Sequence, residues 1–193
     1  MNNIKVLEEA NSVAEKIAIF NNEDINPYNY ISKKLVKKSY KNIITIARGT
    51  SDCAALFASY LFAKNFGIIT YSLPPSLITL EKCEFDFSKT LVLVISQSGL
   101  SQDLIECESC CRAMGAETII LTNNLNSPIV DNANYFFNIN AGREKGIAAT
   151  KTFILSLLNI IKLVAVVNED KKTLNNILRL PDHLNLEINN EWD

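Results

Sequence analysis

The chain has 193 residues, 48% hydrophobic and 21% charged, which supplies one sizeable core and excludes a disordered polymer. Its formal charge of −2 offers no basic excess for nucleic acid or an anionic membrane surface, so neither partner is expected. No apolar run reaches the roughly 18 residues of a membrane span; the longest helical stretch, Phe153 to Val167, is broken by Ser156, Asn159 and Lys162.

The segment from Met1 to Lys5 has no apolar core of a secretory signal. Cys53, Cys83, Cys107, Cys110 and Cys111 make an odd set, which fits a reducing cytoplasm better than a disulfide framework. The single histidine, His183, cannot build a multi-histidine metal site and reads as a surface residue. No metal and no cofactor are expected.

The first 40 residues read as helical. Val6, Leu7, Ala10, Val13, Ala14, Ile17 and Ala18 form one stripe at spacings of three and four. Asn26-Pro27 interrupts it, and Tyr28 to Tyr40 gives a second amphipathic segment. Ile43 to Ala47 is a β-branched strand, followed by a helix from Cys53 to Phe66. Ile68 to Ser72 and Leu91 to Ile95 are further strands. Leu104 to Met114 is a helix that stops at Gly115. Glu117 to Leu121 and Tyr135 to Ile139 complete five strands; Ala148 to Val167 is a long helix and Thr173 to Leu178 a short one ending near Pro181. The stretch from Leu186 to Asp193 reads as a tail or the start of a linker.

Apolar runs alternating with helices indicate a parallel sheet covered on both faces. The expected fold is α/β: a three-layer sandwich around five parallel strands in the flavodoxin-like order 2-1-3-4-5, as one domain over residues 1–193 with N-terminal helices. In such a sheet ligands bind beyond the carboxyl ends of the strands, where the order reverses. Two hydroxyl-rich connections should meet there: Gly49-Thr50-Ser51-Asp52 and Ser96-Gln97-Ser98-Gly99-Leu100-Ser101. Helix N-termini and neutral hydroxyl donors suit a phosphate monoester, and Gly99 admits the anion close to the backbone. Ser, Thr and Asp before a helix are also ordinary N-caps, which is a competing reading of the first connection. Three serines and a glutamine exceed what one cap requires in the second.

A third segment, Ala141 to Lys151, reaches the same edge, with Glu144 as candidate acid or base, Thr150 as cap and Lys151 as counter-charge. Cys107, Cys110 and Cys111 share one helical face and read as core packing. Cys53 opens a helix without a neighbouring base and reads as a buried thiol.

Ala47 to Asp52, Ser96 to Gly99 and Glu144 to Lys151 together resemble the sugar isomerase (SIS) domain family. The likeness is to its first copy in two-copy glucosamine-6-phosphate synthases and SIS-type deaminases. Ser72-Leu73-Pro74-Pro75-Ser76 and Ala148-Ala149-Thr150-Lys151 lean to the deaminase-like branch. The resemblance implies that Thr50, Ser51, Ser96, Gln97, Ser98 and Ser101 hold a sugar phosphate, with Gly49 and Gly99 in the same turns, and that Ile147 and Ala149 line the sugar. The synthases usually carry serine where Ala149 stands, and Leu100 replaces a common acidic residue. It further implies that a second copy and its tail supply the glutamate base, ring-opening histidine and carbonyl-engaging lysine. A chain ending at Asp193 lacks these, so it reads as a binding half, either shortened or completed as a homodimer.

Three functions follow as expectations. One is the phosphosugar-binding domain of an aminosugar-phosphate isomerase, deaminase or aminotransferase, with glucosamine 6-phosphate or fructose 6-phosphate as ligand. Another is a module that senses or scaffolds without turnover. The weakest is a flavin- or nucleotide-binding protein, for which neither connection offers a stacking aromatic.

Overall fold

The computed structural model describes residues 8–37, 39–144 and 149–188. Five parallel strands, β1 (Asn42–Ala47), β2 (Ile69–Ser72), β3 (Thr90–Ser96), β4 (Glu117–Thr122) and β5 (Tyr135–Asn138), form one sheet. Their order is β2-β1-β3-β4-β5, as expected. β3 is central and all seven of its residues are buried, which is why its run is apolar without alternation.

The helices are α1 (Val13–Asn21), α2 (Asn26–Val36), α3 (Thr50–Phe66), α4 (Pro75–Thr79), α5 (Gln102–Ala113), α6 (Lys151–Val167) and α7 (Lys171–Ile188). Side chains alternate along each strand and so divide the core into two layers. Ile43, Leu91, Leu93, Ile95 and Leu121 pack with residues of α1, α2, α3, α6 and α7. Ile44, Ile46, Val92, Val94 and Ile120 pack with residues of α4 and α5. The result is a three-layer sandwich.

The N-terminal helices pack across the first of these layers. Val13, Ala14, Ile17 and Phe20 are the buried residues of α1; Ala18, assigned to the stripe, faces outward, and Val6 and Leu7 lie outside the described residues. Pro27 sits in the first turn of α2, where its missing N–H costs nothing, so Asn26-Pro27 begins a helix. Tyr28 stacks on Phe137 with centroids 4.3 Å apart and donates its hydroxyl to Asn159 Oδ1 at 2.5 Å. At the amino edge of the sheet, Lys34, Tyr40 and Tyr135 all donate to the Glu117 carboxylate.

Three helical boundaries differ from expectation. α3 begins at Thr50, not Cys53. α4 was not expected at all; Pro75 starts it and Ile78 anchors it. α7 does not end near Pro181 but carries that proline in its interior and continues through Leu186 to Ile188, so these residues are not a tail. Proline removes the N–H that would bond the Ile177 carbonyl four residues earlier. Asn21 Nδ2 replaces it, 3.2 Å from Ile177 O and 3.4 Å from Leu178 O. Buried Ile177 and Pro181, with partly buried Leu174 and Leu184, keep one apolar stripe running past the break.

Candidate functional site

The register places two connections side by side. Ala47, the last residue of β1, pairs with Ile95 near the end of β3, so both strands deliver their loops to one stretch of the carboxyl edge. Arg48 Nη2 then reaches Asp103 Oδ2 in the first turn of α5, at 2.5 Å, and ties one connection to the helix that follows the other.

In the first connection Gly49 occupies the N-cap of α3 with φ 58° and ψ −134°. That positive φ is costly for any residue with a Cβ. With Gly49 as cap, Thr50 and Ser51 fall inside the first helical turn, and neither side chain makes a hydrogen bond among the described residues. The ordinary capping role weighed from the sequence is therefore not the one these two hydroxyls perform. Thr50 is exposed and Ser51 half-buried.

The second connection is braced from within and from behind. Buried Ser96 accepts the Gly99 N–H at its Oγ (3.2 Å), and Ser98 Oγ accepts the Leu100 N–H (3.2 Å), leaving the Ser98 proton to donate outward. The turn after β4 holds it in place: Asn123 N–H donates to Gln97 O at 3.1 Å and Asn124 Nδ2 to Ser98 O at 3.3 Å. Ser101 is the N-cap of α5 by backbone alone, with no side-chain capping bond. The Gln97 amide is exposed and, like the Ser101 hydroxyl, uncommitted among the described residues.

The rim therefore combines two helix N-termini with neutral donors from Thr50, Ser51, Gln97, Ser98 and Ser101. Each helix end contributes roughly half a positive charge and unpaired N–H groups. Such an arrangement suits a dianionic monoester. Arg48, not considered from the sequence, adds a cation at the same edge.

The third segment is tied to the second. Asn123 Oδ1 accepts the Ala141 N–H (2.8 Å) and its Nδ2 donates to Gly142 O (2.7 Å). Glu144 lies at the N-terminus of α6, where its carboxylate accepts from the Thr150 N–H and the Thr152 hydroxyl. Both oxygens serve that helix end. Lys151 is not a counter-charge at the rim: it is buried, pairs with buried Glu9 and donates to Arg143 O at 3.1 Å. Ala149 is half-buried just before α6; Ile147 lies outside the described residues.

Elsewhere, Cys107 and Cys111 are buried in the core and Cys110 half-buried beside it, as expected. Cys53 is exposed rather than buried, because its helix position faces away from Ala54 and Ala55, which take the core side. His183 is exposed on α7. Among the described residues no helix is long and apolar enough to cross a membrane.

The sequence model of the SIS domain matches residues 36–166, which include all five strands and every described residue of the rim. The chain belongs to the SIS domain family. This SIS domain is 36% identical over 146 residues to the glutamine–fructose-6-phosphate aminotransferase (isomerizing) of Sulfurisphaera tokodaii, a match covering 75% of this chain and 24% of that protein. The corresponding enzyme of Sulfolobus acidocaldarius is 33% identical over 134 residues, covering 69% and 22%. The chain thus spans about a quarter of these curated relatives.

Among solved structures, a chain of Silicibacter pomeroyi DSS-3 designated a phosphosugar isomerase superposes with a TM-score of 0.88 at 27% identity, covering 94% of this SIS domain and 56% of that chain. Glucosamine-6-phosphate deaminase of Thermotoga maritima shares the fold, with a TM-score of 0.68 at 17% identity and coverage of 92% and 54%. This phosphosugar-binding SIS domain is therefore related to glutamine–fructose-6-phosphate aminotransferases and resembles a phosphosugar isomerase, and with the deaminase it shares the fold.

Proposed function

We propose that this SIS domain binds a hexose 6-phosphate, glucosamine 6-phosphate or fructose 6-phosphate, with the phosphate at the rim between β1 and β3. One observation carries the reading: Thr50, Ser51, Gln97 and Ser101 stand at two adjoining helix N-termini with side chains that bond nothing there. Ser98 supplies a further hydroxyl, and Ser96 and Gly99 set the turn. Ala149, next to the start of α6, is assigned to the sugar, as is Ile147, which lies outside the described residues.

The binding belongs to an aminosugar-phosphate isomerase, deaminase or aminotransferase. Aldose–ketose interconversion needs a base that moves a proton between C1 and C2. Glu144 is a poor source for it, since its carboxylate already serves the N-terminus of α6. A second reading follows from that observation: the chain by itself binds the sugar phosphate without turning it over, as a sensing or scaffolding module does.

We further assign it a homodimeric state and a cytoplasmic location. Leu56 and Tyr60 on α3 and Ile69 and Tyr71 on edge strand β2 are exposed, and among the described residues the outer edge of β2 is unpaired in the sheet. A second copy seated there would bury both. Five free thiols suit a reducing compartment.

Thermal denaturation with added ligand tests the binding. Glucosamine 6-phosphate or fructose 6-phosphate should raise the melting temperature, and unphosphorylated glucosamine should not. A rise with flavin mononucleotide but with neither sugar phosphate would overturn the reading. Ammonia release or interconversion by the purified chain would rule out binding without turnover.

A further inference from the structure

Lys162 sits inside α6 with only 7% of its surface exposed. Among the described residues it has no ion pair and no hydrogen bond. Its Nζ lies 4.6 Å from the ring centroid of Phe20 on α1 and 4.9 Å from that of Tyr28 on α2. Glu23 and Asp24, in the connection between those helices, are the charges that face it. Burial pushes the ammonium below the ordinary lysine value, against the pull of these two carboxylates. An ammonium held by aromatic faces alone still lacks the hydrogen-bond acceptors it had in water.

A cavity of about 310 Å³ opens beside it between α1, α6 and α7. That volume is at the small end of the range for ligand sites, roughly 300–1,000 Å³. Ile25, Leu174 and Ile177 form an apolar wall; Lys162, Glu23 and Asn21 supply the polar groups. Asn21 spends its Nδ2 on the two carbonyls of α7 beside Pro181, so its Oδ1 remains an acceptor. One wall therefore offers a cation, an anion and a carbonyl oxygen over an aliphatic floor. A simple anion in this space would meet Glu23, and a simple amine would meet Lys162; each matches only one of the two charges.

We propose that this cavity binds a small α-amino acid with an aliphatic side chain, its carboxylate paired with Lys162, its ammonium held by Glu23 and Asn21 Oδ1, and its side chain against Ile25, Leu174 and Ile177. The site lies among the helices of one layer and is independent of the phosphosugar rim.

Calorimetric titration of the purified chain with L-leucine tests it, with 4-methylpentanoate and isopentylamine as single-charge comparators. L-leucine should bind, and each comparator should bind at least about ten-fold more weakly. Lys162→Met keeps the apolar stem and should lose about ten-fold or more in leucine affinity. Glu23 accepts a hydrogen bond from Asn140 Nδ2, which the amide oxygen of Glu23→Gln can still accept; this variant should lose a similar factor, which provides a second variant should Lys162→Met fail to fold. Both variants should respond to glucosamine 6-phosphate as the parent chain does, which separates failure here from failure at the rim. No heat from L-leucine up to its solubility, equal binding of either comparator, or undiminished binding by the variants would overturn the proposal.

Discussion

Gly99 and Ser127 stand so close that a Cβ on Gly99 would lie 2.0 Å from the Ser127 hydroxyl oxygen and 2.5 Å from its Cβ. Gly99 also has φ 65°, and Ser127 is fully buried with its hydroxyl donating to Asn124 O at 2.6 Å. The turn that presents Ser98 is thus pressed onto the turn after β4 with no room for a side chain between them.

Gly99→Ala should therefore cost about 2–5 kcal/mol, adding a left-handed backbone penalty to overpacking. At about 2–4 °C per kcal/mol for a chain of this size, the melting temperature should fall visibly. Ser127→Gly in the same chain should recover part of the loss, because it removes the clashing atoms but not the backbone strain. An unchanged melting temperature for Gly99→Ala would mean that the two turns are not in contact.

Glu9 and Lys151 form a buried ion pair that pins the residues before α1 to the start of α6. Removing one partner strands the other charge. Glu9→Ala should lower unfolding free energy by about 3–5 kcal/mol, whereas Glu9→Leu combined with Lys151→Met should come close to the parent. Urea denaturation of the three proteins measures this; additive losses in the double variant would contradict the pairing.

Glu117 gives a pH signature. Burial pushes its carboxyl up, but hydrogen bonds from Lys34, Tyr40 and Tyr135 and the Lys34 charge outweigh that and hold it below the ordinary value. A depressed carboxyl contributes stability above its unfolded pKa and loses that contribution as pH falls through the folded one. Lys34 is shifted up, chiefly by its bond to Glu117, so its contribution is present below the ordinary lysine value and is lost as pH rises through the raised one. The parent chain should thus lose stability on acidification more steeply than Glu117→Gln, read as urea midpoints across the acidic range. Parallel curves would remove Glu117 from the account.

The central strands were plain in the sequence because burial on both faces demands an unbroken apolar run, as in β3. The two hydroxyl-rich turns were plain because a parallel sheet sends its loops to one edge. What supports those turns was not. Asn123, Asn124 and Ser127 look like common turn residues, and only the β3–β4 register brings them behind Gln97 and Ser98. Gly49 hid the start of α3, since its positive φ moves the cap one residue ahead of the first hydroxyl. Pro181 suggested a helix end because the Asn21 amide that replaces its missing bond lies 156 residues from the Ile177 carbonyl it reaches. Glu144 suggested free acid–base chemistry because sequence alone does not show that Thr150 and Thr152, six and eight residues on, occupy both of its oxygens.

The most direct test is calorimetric titration of glucosamine 6-phosphate into the parent chain, Ser98→Ala and Thr50→Val, each first shown to melt as the parent does. Loss of one hydroxyl donor to a charged phosphate should weaken binding by roughly 10- to 100-fold in either variant, at about 1.5–3 kcal/mol per bond. Affinity that persists in both variants would place the phosphate somewhere other than the rim between β1 and β3.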